Sequence, residues 1–131
     1  MGNVAYNADC LPEMKKTPDK YYDLAIVDPP YGAGFTEGGG CKGWFNKYNQ
    51  KVSKGADKNI EWDTAPSNEY FDELFRISRN QIIWGGNYFS LPPTRCFLIW
   101  RKKTISETFT MAMCEYAWTS FNSNAKVFEC V

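Results

Sequence analysis

Asp28-Pro29-Pro30-Tyr31 sets a carboxylate, two rigid residues and an aromatic ring side by side. The prolines carry carbonyl acceptors and no backbone N–H of their own. A flat ring bearing an exocyclic amine matches such a group. Asp28 accepts one amine hydrogen, a carbonyl near Pro29 accepts the other, and Tyr31 stacks on the ring. Nothing in the tetrapeptide suits an anionic ligand. The bland alternative is a strand-ending turn, since prolines stop strands and a neighbouring Asp satisfies local N–H groups.

The elements around the tetrapeptide decide how much weight it carries. Residues 23–28 contain the continuous apolar run Leu24-Ala25-Ile26-Val27 between two aspartates. A strand with one wet face alternates, and this one does not, so it is expected to be covered on both faces as in a parallel α/β sheet. The carboxyl ends of such strands are where open sheets bind ligands. Residues 9–18 read as a short helix, with Asp9 or Cys10 before it, Pro12 in its first turn and Pro18 as its stop. Residues 65–79 form the strongest helical pattern, capped by Asp63 or Thr64, with Pro66 in the first turn and Asn80 as the stop. Its apolar stripe is Tyr70, Phe71, Leu74, Phe75 and Ile77. Strands are expected at 81–84, 96–100 and 115–121, the first of these ending at Gly85-Gly86, and 104–112 stays ambiguous. The whole predicts an α/β fold, with one partial domain over 1–131.

Composition narrows the function. The chain has 131 residues, 44% hydrophobic and 23% charged, which suits a folded protein. Net charge is zero, which excludes a protein that grips nucleic acid by bulk electrostatics but not one with a local basic strip. Lys42, Lys47, Lys51, Lys54 and Lys58 make one such strip, and Arg101-Lys102-Lys103 a shorter one. There is no histidine, so Ser-His and Cys-His nucleophile systems are ruled out. Five scattered cysteines without a C-x-x-C spacing argue against a metal site and read as reduced thiols of a cytoplasmic protein. No signal segment or membrane span is apparent.

The tetrapeptide after an apolar strand resembles the catalytic motif of the DNA amino-methyltransferases, which move a methyl group from S-adenosylmethionine to adenine N6 or cytosine N4. The Asp-first form is similar to the adenine-N6 enzymes, whereas cytosine-N4 enzymes more often begin with Ser. Other stretches match in order over essentially the whole chain: Asn7-Ala8-Asp9-Cys10, Glu61-Trp62-Asp63, Trp84-Gly85-Gly86-Asn87 and Leu98-Ile99-Trp100-Arg101-Lys102. The resemblance implies a Rossmann-like methyltransferase sheet, mostly parallel with an antiparallel strand near the C-terminus. It implies Asp28, Pro29, Pro30 and Tyr31 as the catalytic group, and Asp9, Cys10 and Asp28 as cofactor contacts.

In that chemistry two acceptors on the amine hydrogens free the nitrogen lone pair and stabilise the developing charge. The target base must leave the duplex and enter a pocket with an aromatic wall. Tyr31 is the expected wall, with Phe35 or Trp44 able to close the other side. The glycine-rich stretch 32–58 interleaves Lys42, Lys47 and Lys51 with aromatics such as Trp44. This suits a DNA-facing loop, and a solvated loop fits the same composition.

The family's cofactor motif, of the form F-x-G-x-G after an H-x-x-x-K-P segment, does not occur. Gly38-Gly39-Gly40 does not replace it, because no apolar strand feeds it. The order therefore predicts an N-terminal fragment, inactive alone and binding S-adenosylmethionine weakly. A further C-terminal segment or a second copy would cover the 24–27 edge. Cytosine-N4 methylation, a non-catalytic DNA-binding or oligomerising remnant, and RNA or protein methylation remain as alternatives.

Overall fold

Helix α1 (Cys10–Lys16) begins where Asp9 accepts the Leu11 N–H at 3.1 Å, and carries Lys15 and Lys16 in its last turn, where cations suit the helix dipole. Thr17 is already extended, as the residue before a proline tends to be, and the chain leaves the helix there. This computed structural model describes residues 3–32, 35–36, 40–41, 64–105 and 112–130.

Strand β1 (Tyr22–Val27) comes next. Beyond it two short strands, β2 (Phe35–Thr36) and β3 (Gly40–Cys41), pair antiparallel. Helix α2 (Asn68–Ile77) then runs directly into strand β4 (Ser78–Trp84). The sequence pattern extends this helix to Arg79 and shortens the strand, and the structure corrects both. Ser78 is extended at φ −122°, ψ 149°, and its hydroxyl donates to the Leu74 carbonyl at 2.5 Å, which closes the last turn. Ser78 and Asn80 pair with Tyr22 and Leu24 of β1, so strand pairing overrides local helical preference. The start is corrected as well. Ser67 is the residue at the cap, without a side-chain capping bond, so neither Thr64 nor a first-turn Pro66 plays the expected part. Asp63, the other expected cap, lies outside the described residues.

A 3-10 turn at Gly86–Tyr88 leads to β5 (Phe97–Lys102), β6 (Cys114–Thr119) and β7 (Lys126–Cys130). β7 has no counterpart among the strands expected from sequence. The five-stranded sheet has the order β1-β4-β6-β5-β7. β1 and β4 pair parallel, as do β5 and β7, while β6 is antiparallel to both β4 and β5. The fold is α/β, but the sheet is mixed instead of mostly parallel.

The core lies on one side of the sheet. Met14 of α1 and Leu74 and Ile77 of α2 pack on Ile83 and Trp118, with Ala25 and Val27 beside them. The expectation that β1 is covered on both faces is overturned: Leu24 is 42% and Ile26 62% exposed. Among the described residues β1 is an edge strand, so an apolar run here reflects one packed face and one outward apolar face. The outward face continues across the sheet as an aromatic group, with Trp84 6.4 Å from Trp100 and 6.2 Å from Phe128.

Arg76 fastens the connection between α1 and β1. Its guanidinium donates to the carbonyls of Met14 and Thr17 at 2.9 Å each, to Asp19 at 2.6 Å and to Glu73 at 2.7 Å. The hydrogen bond from Arg76 holds the Glu73 carboxyl below the usual range. Lys20, in the left-handed region at φ 52°, donates to the carbonyls of Phe75 and Ser78. These bonds set the end of α2 beside the start of β1, and so fix the register on which the site depends.

Among the described residues no helix is long and apolar enough to cross a membrane, and no group of His, Cys, Asp and Glu is placed to hold a metal. Cys10, Cys96 and Cys114 are free thiols.

Candidate functional site

Val27 and Ile83 are register partners in the parallel pair, so β1 and β4 end side by side. The loops that leave the two strands therefore meet at one edge of the sheet. After β1 comes Asp28-Pro29-Pro30-Tyr31, and after β4 comes Gly85-Gly86-Asn87-Tyr88. The carboxyl edge of parallel strands is the usual place for a ligand site in an open sheet.

The second loop is shaped by its glycines. Gly85 adopts φ +66°, a left-handed conformation that costs other residues energy, and its N–H donates to the Tyr116 carbonyl at 2.9 Å. A Cβ on Gly85 would lie 2.1 Å from Cε1 of Tyr31, and one on Gly86 would lie 2.5 Å from Cβ of Trp118. Both positions are therefore open to close approach only as glycine: one admits the Tyr31 ring, the other the core.

Tyr31 lies in the space so created. Its ring stacks on Tyr88 with centroids 4.7 Å apart and planes 12° from parallel, and meets the edge of Phe89 at 6.2 Å. Its hydroxyl donates to Asp28 Oδ1 at 2.9 Å. Burial first, and then the hydrogen bond and charge of Asp28, push the phenol pKa well above its ordinary value. Tyr31 is thus a neutral donor throughout the physiological range.

Beside the first three residues of the tetrapeptide lies a cleft of about 510 Å³. Val27, Asp28, Pro29 and Pro30 form one wall. The start of α1 supplies Asp9, Cys10 and Leu11, and the start of α2 supplies Pro66, Ser67 and Tyr70. Pro29 is buried, whereas Asp28 and Asp9 are exposed, both open to ligand and solvent. Tyr70 is pushed up to about 12, chiefly by burial, so its hydroxyl is also uncharged.

The structure brings together Asp9, Cys10, Asp28, Pro29 and Pro30 around this cleft, while Tyr31 does not line it and stacks on Tyr88. Lys42, Trp44, Lys47 and Lys51 lie outside the described residues. Phe35 is described only as part of β2. The Arg101-Lys102-Lys103 cluster is ion-paired: Arg101 and Lys103 meet Glu129 at 3.5 and 3.2 Å, and Lys102 pairs with Glu115. Tyr88, Phe89 and Tyr70 are site residues that sequence reasoning does not find. The Gly-Gly after β4 is the signal that points to the Tyr88 turn.

Asp9 has a structural duty that can be separated from any ligand contact. Asp9→Ala is expected to lower stability by about 1 kcal/mol through loss of the helix cap. Asp9→Ser should restore it in urea unfolding, because a hydroxyl also accepts from the Leu11 N–H. Equal stability of Asp9→Ala and wild type would show that the capping bond contributes nothing.

No family model, curated protein or solved structure matches the chain.

Proposed function

We propose that the chain carries the amine-recognising, catalytic part of a DNA methyltransferase that modifies adenine N6 with S-adenosylmethionine as donor. One observation supports this above the rest. Asp28-Pro29-Pro30-Tyr31 sits at the carboxyl end of β1, with Asp28, Pro29 and Pro30 lining a ligand-sized cleft and Tyr31 in an aromatic pair. A methyl transfer between two bound molecules needs an acceptor site and a donor site that share a wall.

The residues fit both halves. The cleft volume of about 510 Å³ falls in the range of small-molecule pockets. Its walls are mainly apolar, and the carboxylates of Asp9 and Asp28 suit a cationic ligand. Bound there, S-adenosylmethionine supplies an electrophilic methyl group. Asp28 accepts one hydrogen of the adenine amine, and a carbonyl near Pro29, which has no competing proline N–H, accepts the other. Together they turn the nitrogen lone pair out of the ring plane and stabilise the positive charge that grows on it. The aromatic side of the site receives a base swung out of the duplex.

The test is methyl transfer from labelled S-adenosylmethionine to duplex oligonucleotides carrying only adenine or only cytosine amines as targets. It is carried out with the longest natural protein that contains these 131 residues. Label on adenine alone is the expected result. Label on cytosine alone would select the sister N4 reaction, and label on neither would overturn the proposal.

A further inference from the structure

Tyr31 makes, within the chain, both contacts that an acceptor base would need. Its ring lies flat on Tyr88, and its hydroxyl occupies Asp28 Oδ1 at 2.9 Å. A base cannot stack on the same ring face while Tyr88 covers it at 4.7 Å, because a ring inserted between two others needs a separation of about 7 Å, twice the usual stacking distance. One of the two tyrosines has to yield. Tyr31 is backed by the Gly85 backbone, which is buried and tied to Tyr116 by a 2.9 Å hydrogen bond. Tyr88 is 48% exposed and stands at the end of a three-residue 3-10 turn.

We propose that Tyr88 is the second aromatic wall of the acceptor pocket, and that the acceptor ring enters by parting Tyr88 from Tyr31. This rests on the proposed function. Tyr31 in its present place holds the slot closed and keeps the Asp28 carboxylate hydrogen-bonded until a base arrives. On entry the amine takes over the Asp28 oxygen from the Tyr31 hydroxyl, and the base lies between two phenol rings. The pocket then takes planar aminated heterocycles and rejects sugars and phosphates, which have no flat face to offer.

The experiment tracks the tyrosine ring resonances of the whole 131-residue chain, labelled with ¹³C at tyrosine, during titration with adenosine. Tyr70 reports the cleft, and Tyr31 and Tyr88 report the slot. Wild type should show Tyr31 and Tyr88 shifting together with one affinity. Tyr88→Ala should weaken the response at Tyr31 roughly tenfold, the size of one lost base-ring stack, while Tyr88→Phe keeps wild-type affinity. Both variants should retain the dispersed spectrum of the folded chain, since Tyr88 lies outside the core. A wild-type response at Tyr31 in Tyr88→Ala would overturn the wall assigned to Tyr88 and leave the proposed function standing. A response at Tyr70 alone would place the nucleoside in the cleft and overturn the slot. No response at any of the three would overturn both the slot and the proposed function.

Discussion

Asp28→Ala is expected to lower methyl transfer to adenine about a thousandfold, with DNA affinity within about twofold of wild type. The magnitude is that of removing one preorganised group aimed at developing charge. The split between the two readouts comes from position. Asp28 stands at the end of β1, and its hydrogen bond in the structure is with the Tyr31 hydroxyl, so its loss leaves the core untouched. Contacts to the DNA backbone, which dominate affinity, do not involve a carboxylate. Asp28→Asn keeps an acceptor oxygen but removes the charge, and should fall between the two. A loss of DNA affinity as large as the loss of transfer would make Asp28 a binding residue and not the amine acceptor.

Gly85→Ala is expected to cost about 2–3 kcal/mol of stability and to dislodge Tyr31 from Asp28. Two physical terms add. An alanine at φ +66° bears the left-handed penalty, roughly 1–2 kcal/mol. Its Cβ also meets Tyr31 Cε1 at 2.1 Å, so the ring must leave, with loss of a stacked aromatic pair worth about 0.5–1.5 kcal/mol. The terms separate in a double-mutant cycle with Tyr31→Ala, where the steric part disappears and the backbone part stays. Urea unfolding of the four proteins measures the cycle. Strict additivity would show that Tyr31 does not rest against Gly85 in solution.

These two expectations divide the site by how readable it is in sequence. The Asp28 tetrapeptide is legible because chemistry confines it: few residue combinations present two acceptors and a ring at a strand end. Its surroundings are less so. Nothing local in Leu24-Ala25-Ile26-Val27 distinguishes an edge strand with one apolar face turned outward from a central strand covered twice. Neighbours that are distant in sequence decide it, and here β1 pairs with β4 alone among the described residues. The α2–β4 junction is misplaced by sequence pattern for a similar reason. Ser78 and Asn80 carry no strong preference, and their pairing with β1 overrides the helical pattern upstream. β7 escapes notice because its strand character comes from register with β5, with every residue exposed.

Tyr88 shows the complementary limit. Its sequence position, after two glycines, marks a turn and nothing more. Only the parallel register of β1 on β4 carries that turn to Tyr31. The basic cluster at 101–103 makes the opposite point. In sequence it is a charge run, and in the fold each member has an acidic partner on β6 or β7. Charge patterning along a strand says little until the neighbouring strand is known.

The central claim is that Asp28 and a carbonyl near Pro29 recognise an exocyclic amine by accepting its two hydrogens. Comparing adenosine with N6,N6-dimethyladenosine tests this most directly, because the second nucleoside keeps the stacking ring and loses both hydrogens. Titration monitored at the Tyr31 ring should show the dimethylated nucleoside binding roughly tenfold more weakly, or worse, to wild type, since an acceptor left unpaired in the site costs about 1–3 kcal/mol. Asp28→Ala should narrow the gap between the two nucleosides. Equal affinity of adenosine and N6,N6-dimethyladenosine for the wild-type chain would contradict the account.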